Sequence, residues 1–314
     1  MFRRRRHRND APWRVAAIVA VLALSGTPAA ADPLPPSVAA VIDAAAASGK
    51  AATLKTVVQM VKKAYPASAA EIDAQVAALQ AKADKARREK LAHQGFFGGF
   101  SGEGQLGLSN STGGSNTLTV TGGAKITKES LNWKNTLTLD ATYKKENAVL
   151  TDEKYFAGFE SRYKLSGNRY LVGTLSWDRD PFSGYTNRSA ASFGLGAVLI
   201  KRPNLTLSLD AGPAARSIDY IATHDTPAHT TTDAMARIGA ALSWTIWPGT
   251  TFTDNLTGYI GSGDKSVTSI TAFTTKIAGA LSARMSFQLD YDSLLPPGYD
   301  DINTETRVTL VFAF

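Results

Sequence analysis

Residues 305–314 alternate a large apolar side chain with a polar or small one and stop on an aromatic. Val308, Leu310, Phe312 and Phe314 share one parity; Arg307, Thr309 and Ala313 share the other, with Val311 the single large apolar residue among them. Successive strand side chains point to opposite faces, so this stretch predicts a strand with one greasy and one polar face. The same period recurs in segments 100–108, 116–127, 133–143, 154–165, 169–180, 187–199, 205–217, 233–244, 250–260, 269–281 and 285–291, making twelve with the last.

The connections alternate in length. Those near 128–132, 166–168, 201–204, 245–249 and 282–284 are short, whereas those near 109–115, 144–153, 181–186, 218–232, 261–268 and 292–303 are mostly longer. Short turns at one end and long loops at the other is the outer-membrane arrangement. It predicts an antiparallel up-and-down transmembrane β-barrel of about 12 strands, with both barrel ends of the chain in the periplasm. A soluble sandwich or lipocalin-like barrel also alternates but turns its apolar face inward. Two features count against it. The polar face is rich in Thr, Ser and Gly with charges of both signs, and aromatics gather at the strand ends.

Those aromatics predict two girdles at the lipid–water boundaries. Trp133, Tyr163, Trp244, Trp247, Phe312 and Phe314 lie toward the short turns; Tyr143, Tyr155, Trp177, Tyr185, Tyr259 and Tyr291 lie toward the long loops. Parity then sends Glu103, Lys125, Lys134, Asp140, Glu160, Arg162, Lys164, Asp178, Asp210, Arg237, Lys276, Asp290, Glu305 and Arg307 inward, seven basic and seven acidic. A Lys or Arg on the lipid face costs about 2–4 kcal/mol at mid-depth, and an acid less. Asp254 breaks the rule, falling outward with Phe252 and Leu256; a bulge or a misplaced register is the expected explanation.

Before the strands the chain is of another kind. Arg3, Arg4, Arg5, Arg6 and Arg8, an apolar core at 13–24 and Ala29-Ala30-Ala31 form an export signal, expected to be removed after residue 31. Six arginines and Asp10 leave with it, so the net charge of +7 falls to +2, from 28 basic and 26 acidic residues. Nucleic acid is therefore not implied as a partner. With no cysteine, no disulfide holds the fold. Residues 32–94 are Ala-rich and predict a periplasmic α-helical region, joined through Gly95-Phe96-Phe97-Gly98-Gly99 to a barrel domain at 95–314. Helices are expected at 37–48, 51–65 and from Ser68, which with Glu71 forms a capping-box pattern. Ile72, Val76, Leu79, Ala83 and Ala86 keep a 4-3-4-3 spacing. That stripe suits a small bundle burying its own seam or, over fewer heptads than a coiled coil needs, helix-mediated self-association.

Several short motifs carry a resemblance. They are Phe100-Ser101-Gly102-Glu103 with Leu106-Gly107-Leu108, the stretch from Arg179-Asp180-Pro181 to Phe182-Ser183-Gly184-Tyr185, then Gly212-Pro213, Pro296-Pro297-Gly298 and residues 307–314. Over residues 100–314 the chain resembles the salt-induced outer-membrane protein family, a domain of unknown function. The resemblance implies an outer-membrane barrel of a Gram-negative bacterium and no particular activity; the helical region is not part of the pattern. The partners expected are outer-membrane lipid and the barrel-assembly machinery, which would engage the last strand. Arg179 and Arg188 beside aromatics could also contact lipopolysaccharide phosphates, although a turn stabilised by Pro and Gly with solvated charges explains them more simply.

A balanced, polar lumen predicts a narrow, weakly selective pore for ions or small hydrophilic solutes. The alternative is a salt-bridged, sealed barrel with a structural or envelope-stress role. An enzyme is not expected, nor a cofactor or metal. His224 and His229, near Asp219, Asp225 and Asp233, match no hydrolase or metal-ligand spacing, and loops gather such residues routinely.

Overall fold

The computed structural model describes residues 34–49, 51–95, 98–111, 116–224, 226–296 and 298–314. The expected export signal lies outside the described residues, as do Phe96 and Phe97 of the junction. Three helices come first: α1 (Pro36–Ala47), α2 (Ala51–Ala64) and, after a 3-10 turn at Pro66–Ser68, α3 (Ala69–His93). Leu34, Ile42, Val61 and Ile72 form their buried core, with Val58, Val76 and Leu79 packed against it. Ala83 and Ala86 are exposed, so the packed stripe ends at Leu79. The capping box does not form. Ser68 makes no capping bond because the 3-10 turn gives it φ −94° and ψ 14°, outside the β-region a capping residue adopts. Glu71 instead accepts the Leu34 N–H at 2.9 Å.

Twelve strands follow: β1 (Phe100–Ser111), β2 (Thr117–Glu129), β3 (Trp133–Glu146), β4 (Val149–Lys164), β5 (Arg169–Asp180) and β6 (Tyr185–Arg202). The remainder are β7 (Leu205–Tyr220), β8 (His229–Trp247), β9 (Thr250–Ile260), β10 (Lys265–Ala278), β11 (Leu281–Asp292) and β12 (Ile302–Ala313). Each pairs with its chain neighbours and β12 pairs with β1, closing an antiparallel barrel with no free edge. At the seam the Phe314 N–H donates to the Gly102 carbonyl and the Gly102 N–H to the Phe314 carbonyl, both at 2.9 Å. Gly102 leaves room for the Phe314 ring over the seam, since a Cβ there would stand 2.4 Å from it.

Register fixes the two faces. Glu103, Lys125, Thr138, Gly158, Ser176, Ala190 and Arg216 form one rung running from β1 to β7. Arg188 on β6 reaches Asp292 on β11, five strands away, so its face is the interior. The other face is apolar and open: Leu137 is 37% exposed, Phe287 44%, and Leu106, Leu175, Phe193 and Val308 are exposed as well. A contiguous greasy skin around a polar interior is the pattern of a barrel solvated by lipid.

The strands outrun the sequence reading at one end. The connection expected at 144–153 is a two-residue turn, with Asn147 and Ala148 at φ 48° and 67°, the signature of a type I′ hairpin. Lys, Glu and Asp in this region mark strand ends projecting past the apolar band, not a loop. The connection expected at 218–232 likewise shrinks to 221–228.

Candidate functional site: the lumen and its mouths

All ten charged residues singled out most strongly by parity lie on the inner face. Glu103, Lys134, Asp140, Glu160, Arg162, Asp178, Asp210, Arg237, Asp290 and Arg307 occupy ladder positions of the interior rungs. Trp133, Tyr143, Trp177, Trp244, Tyr291, Phe312 and Phe314 are on the outer side. Trp133 sits edge-on to Tyr163 at 4.9 Å there.

At the loop end a network crosses the lumen. Arg188 donates from Nε to Asp178 (3.2 Å) and from Nη1 to Asp292 (3.0 Å). Its guanidinium lies 4.6 Å over the Tyr185 ring, whose hydroxyl donates to Asp178 at 2.7 Å. Beside it Arg216, only 3% exposed, is bonded to Asp264 and Ser266. Buried charges persist where partners replace their lost water. The connection between β11 and β12 then folds across the opening: Leu295 packs on Tyr185, Ile218 and Tyr220. Pro296 and Tyr299 from the same connection close on Gly184 of the opposite wall.

Deeper in, one arc of wall is filled. Arg162 pairs with Glu160 at 2.7 Å and lies 4.7 Å over the Tyr170 ring. Tyr170 spans the arc to donate to the Leu209 carbonyl at 3.3 Å, and Arg237 is bonded to Asp210. Gly196 makes room for that tyrosine, because a Cβ would lie 2.3 Å from the ring. A second network joins Arg284 to Glu103 (2.9 Å) and to Gln105 (3.2 Å), which donates to Asp140 at 2.9 Å. Arg307 forks onto both oxygens of Glu305 at 2.5 and 2.6 Å, and Asp290 accepts from Thr268 and Gln288. At the turn end Glu129 bridges Lys164 (2.7 Å) and Arg87 of α3 (2.8 Å).

Elsewhere the interior is open, above all along β9 and β10. Lys125 on β2 and Asn255 on β9 point inward yet are exposed, Phe156 on β4 is 38% exposed and Ile270 on β10 37%. Since they face the interior, their accessible surface lies in free space within the barrel.

Several readings change. Tyr185 and Tyr259 are not girdle residues. A register shift between Tyr185 and Asn187 turns the first inward, and Tyr259, opposite Arg237, shares the inner parity and meets Arg216 at 5.6 Å. Arg188 is spent inside the lumen and is not a rim contact for lipopolysaccharide; Arg179, paired with Tyr155, stays on the outer side. Reasoning from sequence missed Arg188, Arg216, Arg284 and Asp292. Parity continued through Asp210 to 216, from Asp290 to 284 and 292, and back from Ser192 and Ala190 to 188 would have found all four. His229 belongs to β8 and stacks on Tyr220 at 5.1 Å. Among the described residues neither His224 nor His229 is bonded to a serine or a carboxylate.

With this geometry in view, comparison with known proteins places the chain. Residues 104–314 match the family described as a protein of unknown function, DUF481. The chain belongs to that family. It is 26% identical over 175 residues to the uncharacterized protein YdiY of Escherichia coli (strain K12), across 56% of this chain and 67% of the relative. Similar solved structures include a NanC porin (12% identity, 68% of this chain and 98% of that one, TM-score 0.41). An outer membrane channel of Pseudomonas putida F1 gives 11% identity, 68% and 94% coverage, and a TM-score of 0.38. The protein is an outer-membrane-type β-barrel of a family without a described function.

Proposed function

We propose that the barrel is a narrow, weakly selective pore for ions or small hydrophilic solutes, with its short turns and helices in the periplasm and its long connections outside. One observation carries the reading: Lys125, Asn255 and Ile270 keep accessible surface on the inner side of a closed polar wall. That space is lined by hydroxyls and paired charges, which suit hydrated solutes and give little net field to sort them by sign. The narrow point is the loop end, where Arg188 joins opposite walls. The role is transport, not catalysis. Single-channel recording of the full chain in planar bilayers, with a salt gradient to read selectivity, tests it. Small ohmic steps with a reversal potential near zero are expected. No current above leak, from the wild type and from Arg188→Ala alike, would eliminate the pore.

A second reading is a sealed barrel, and the Arg188–Asp292 bridge beneath Leu295 favours it. The same recording separates the two. Export by residues 1–31 and insertion of the last strand by the barrel-assembly machinery belong to the same proposal.

A further inference from the structure

Asp254 is where the expected bulge is absent. The β9–β10 ladder runs unbroken from Lys265↔Ile260 to Thr275↔Thr250, and no register shift intervenes between β8 and β9 at this level. Its rung is Leu207, Leu242, Asp254, Thr271, Phe287 and Thr306, all on the outer face. Asp254 lies four residues along β9 from Thr250, about 10 Å up a strand tilted near 40° and so inside the apolar band of about 25 Å. The Ser269 and Thr271 hydroxyls both donate to one oxygen, Oδ1, at 3.2 and 3.1 Å. Oδ2 receives no donor within the described chain. Hydrocarbon supplies none either.

We propose that the outer face of β9–β12 is a membrane-embedded contact between two copies of this chain, centred on Asp254. The chemistry of the face selects the occupant. It carries an acceptor short of a donor, hydroxyls at Thr304 and Thr306 that are not spent on Asp254, and, apart from Lys265 at the loop end of β10, no lysine or arginine at an outward position. Donors and acceptor on one patch are self-complementary, which is what an isologous two-fold contact requires. A two-fold axis along the membrane normal brings residues of equal depth together. Asp254 of one copy then faces the Asp254 level of the other, where a proton shared between the two carboxyls, or a Thr304 or Thr306 hydroxyl, completes Oδ2.

The absence of cysteine makes the test clean. Single-cysteine variants T271C and F287C, oxidised in native outer membranes, are expected to give disulfide-linked dimers, while L139C on β3, across the barrel, gives none. Adding Asp254→Leu should cut cross-linking about ten-fold, the effect of about 1.4 kcal/mol, with the heat-modifiable gel band showing the barrel still folded. Equal cross-linking at 139, none at 271 or 287, or cross-linking untouched by Asp254→Leu would each overturn the contact. The last two would assign Asp254 to a lipid headgroup instead.

Discussion

Along β5–β8 the interior is filled: Tyr170, Val172, Ala214, Arg216 and Arg237 are buried, and Asp210 with them. Along β9 and β10 it is not, for Asn255 and Ile270 look into the same lumen and remain exposed. The backbone is the same closed ladder in both arcs. What differs is side-chain volume and pairing. The first arc sets three tyrosines and three arginines among acids; the second presents Thr251, Thr253, Thr257, Thr268 and Thr274, which are too short to reach across. A barrel of this size becomes part core and part channel according to which residues line each arc.

The comparison breaks most visibly through stability. Arg237→Ala leaves buried Asp210 without its partner, and removing one member of a buried pair costs about 3–5 kcal/mol. Asn255→Ala, on the hollow arc, should stay within about 0.5 kcal/mol. Urea titration in detergent, followed by the heat-modifiable gel shift, measures both. Equal losses would mean that the arcs do not differ as described.

Conduction comes next. Arg188→Ala removes the only side chain among the described residues that is salt-bridged to both β5 and β11, so single-channel conductance should rise several-fold. Lys134→Ala, at an exposed inner position, should change it little. Identical traces from Arg188→Ala and wild type would move the narrow point elsewhere. Smaller still is the effect of Asn255→Lys, which adds an unpaired positive charge beside the free space. Under a salt gradient the reversal potential should shift toward anions; no shift would show that current avoids this arc.

Much of this was legible in the residues. Trp133, Leu137 and Leu139 against Lys134, Thr136, Thr138 and Asp140 set the faces of β3, and the ladder kept them. Parity failed where the backbone adds a residue. The shift between Tyr185 and Asn187 reversed Tyr185, and no composition signal marks a bulge. It also failed as a warning at Asp254, where the alternation was right and the assumption that no acid faces lipid was not. Filled and hollow arcs could not be read at all, because Tyr170 meets Leu209 and Arg188 meets Asp292 only once the sheet has closed.

The helices offer the smallest effect. Their core at Ile42 and Ile72 is complete within themselves, both residues being 0% exposed. The contact of α3 with the barrel includes Arg87 on Glu129, whose side chains are 64% and 29% exposed, a solvent-screened pair worth at most about 1 kcal/mol. A greasy bundle gains nothing by entering a lumen of hydroxyls and ion pairs, and three helices of about 10–12 Å diameter cannot stand side by side in it. Deleting residues 34–94 should therefore leave conductance unchanged. Arg87→Ala should lower the barrel's urea midpoint only slightly, since Glu129 keeps Lys164. A larger current after the deletion would make α3 a plug at the turn end, and the hollow arc would then be the space it occupies.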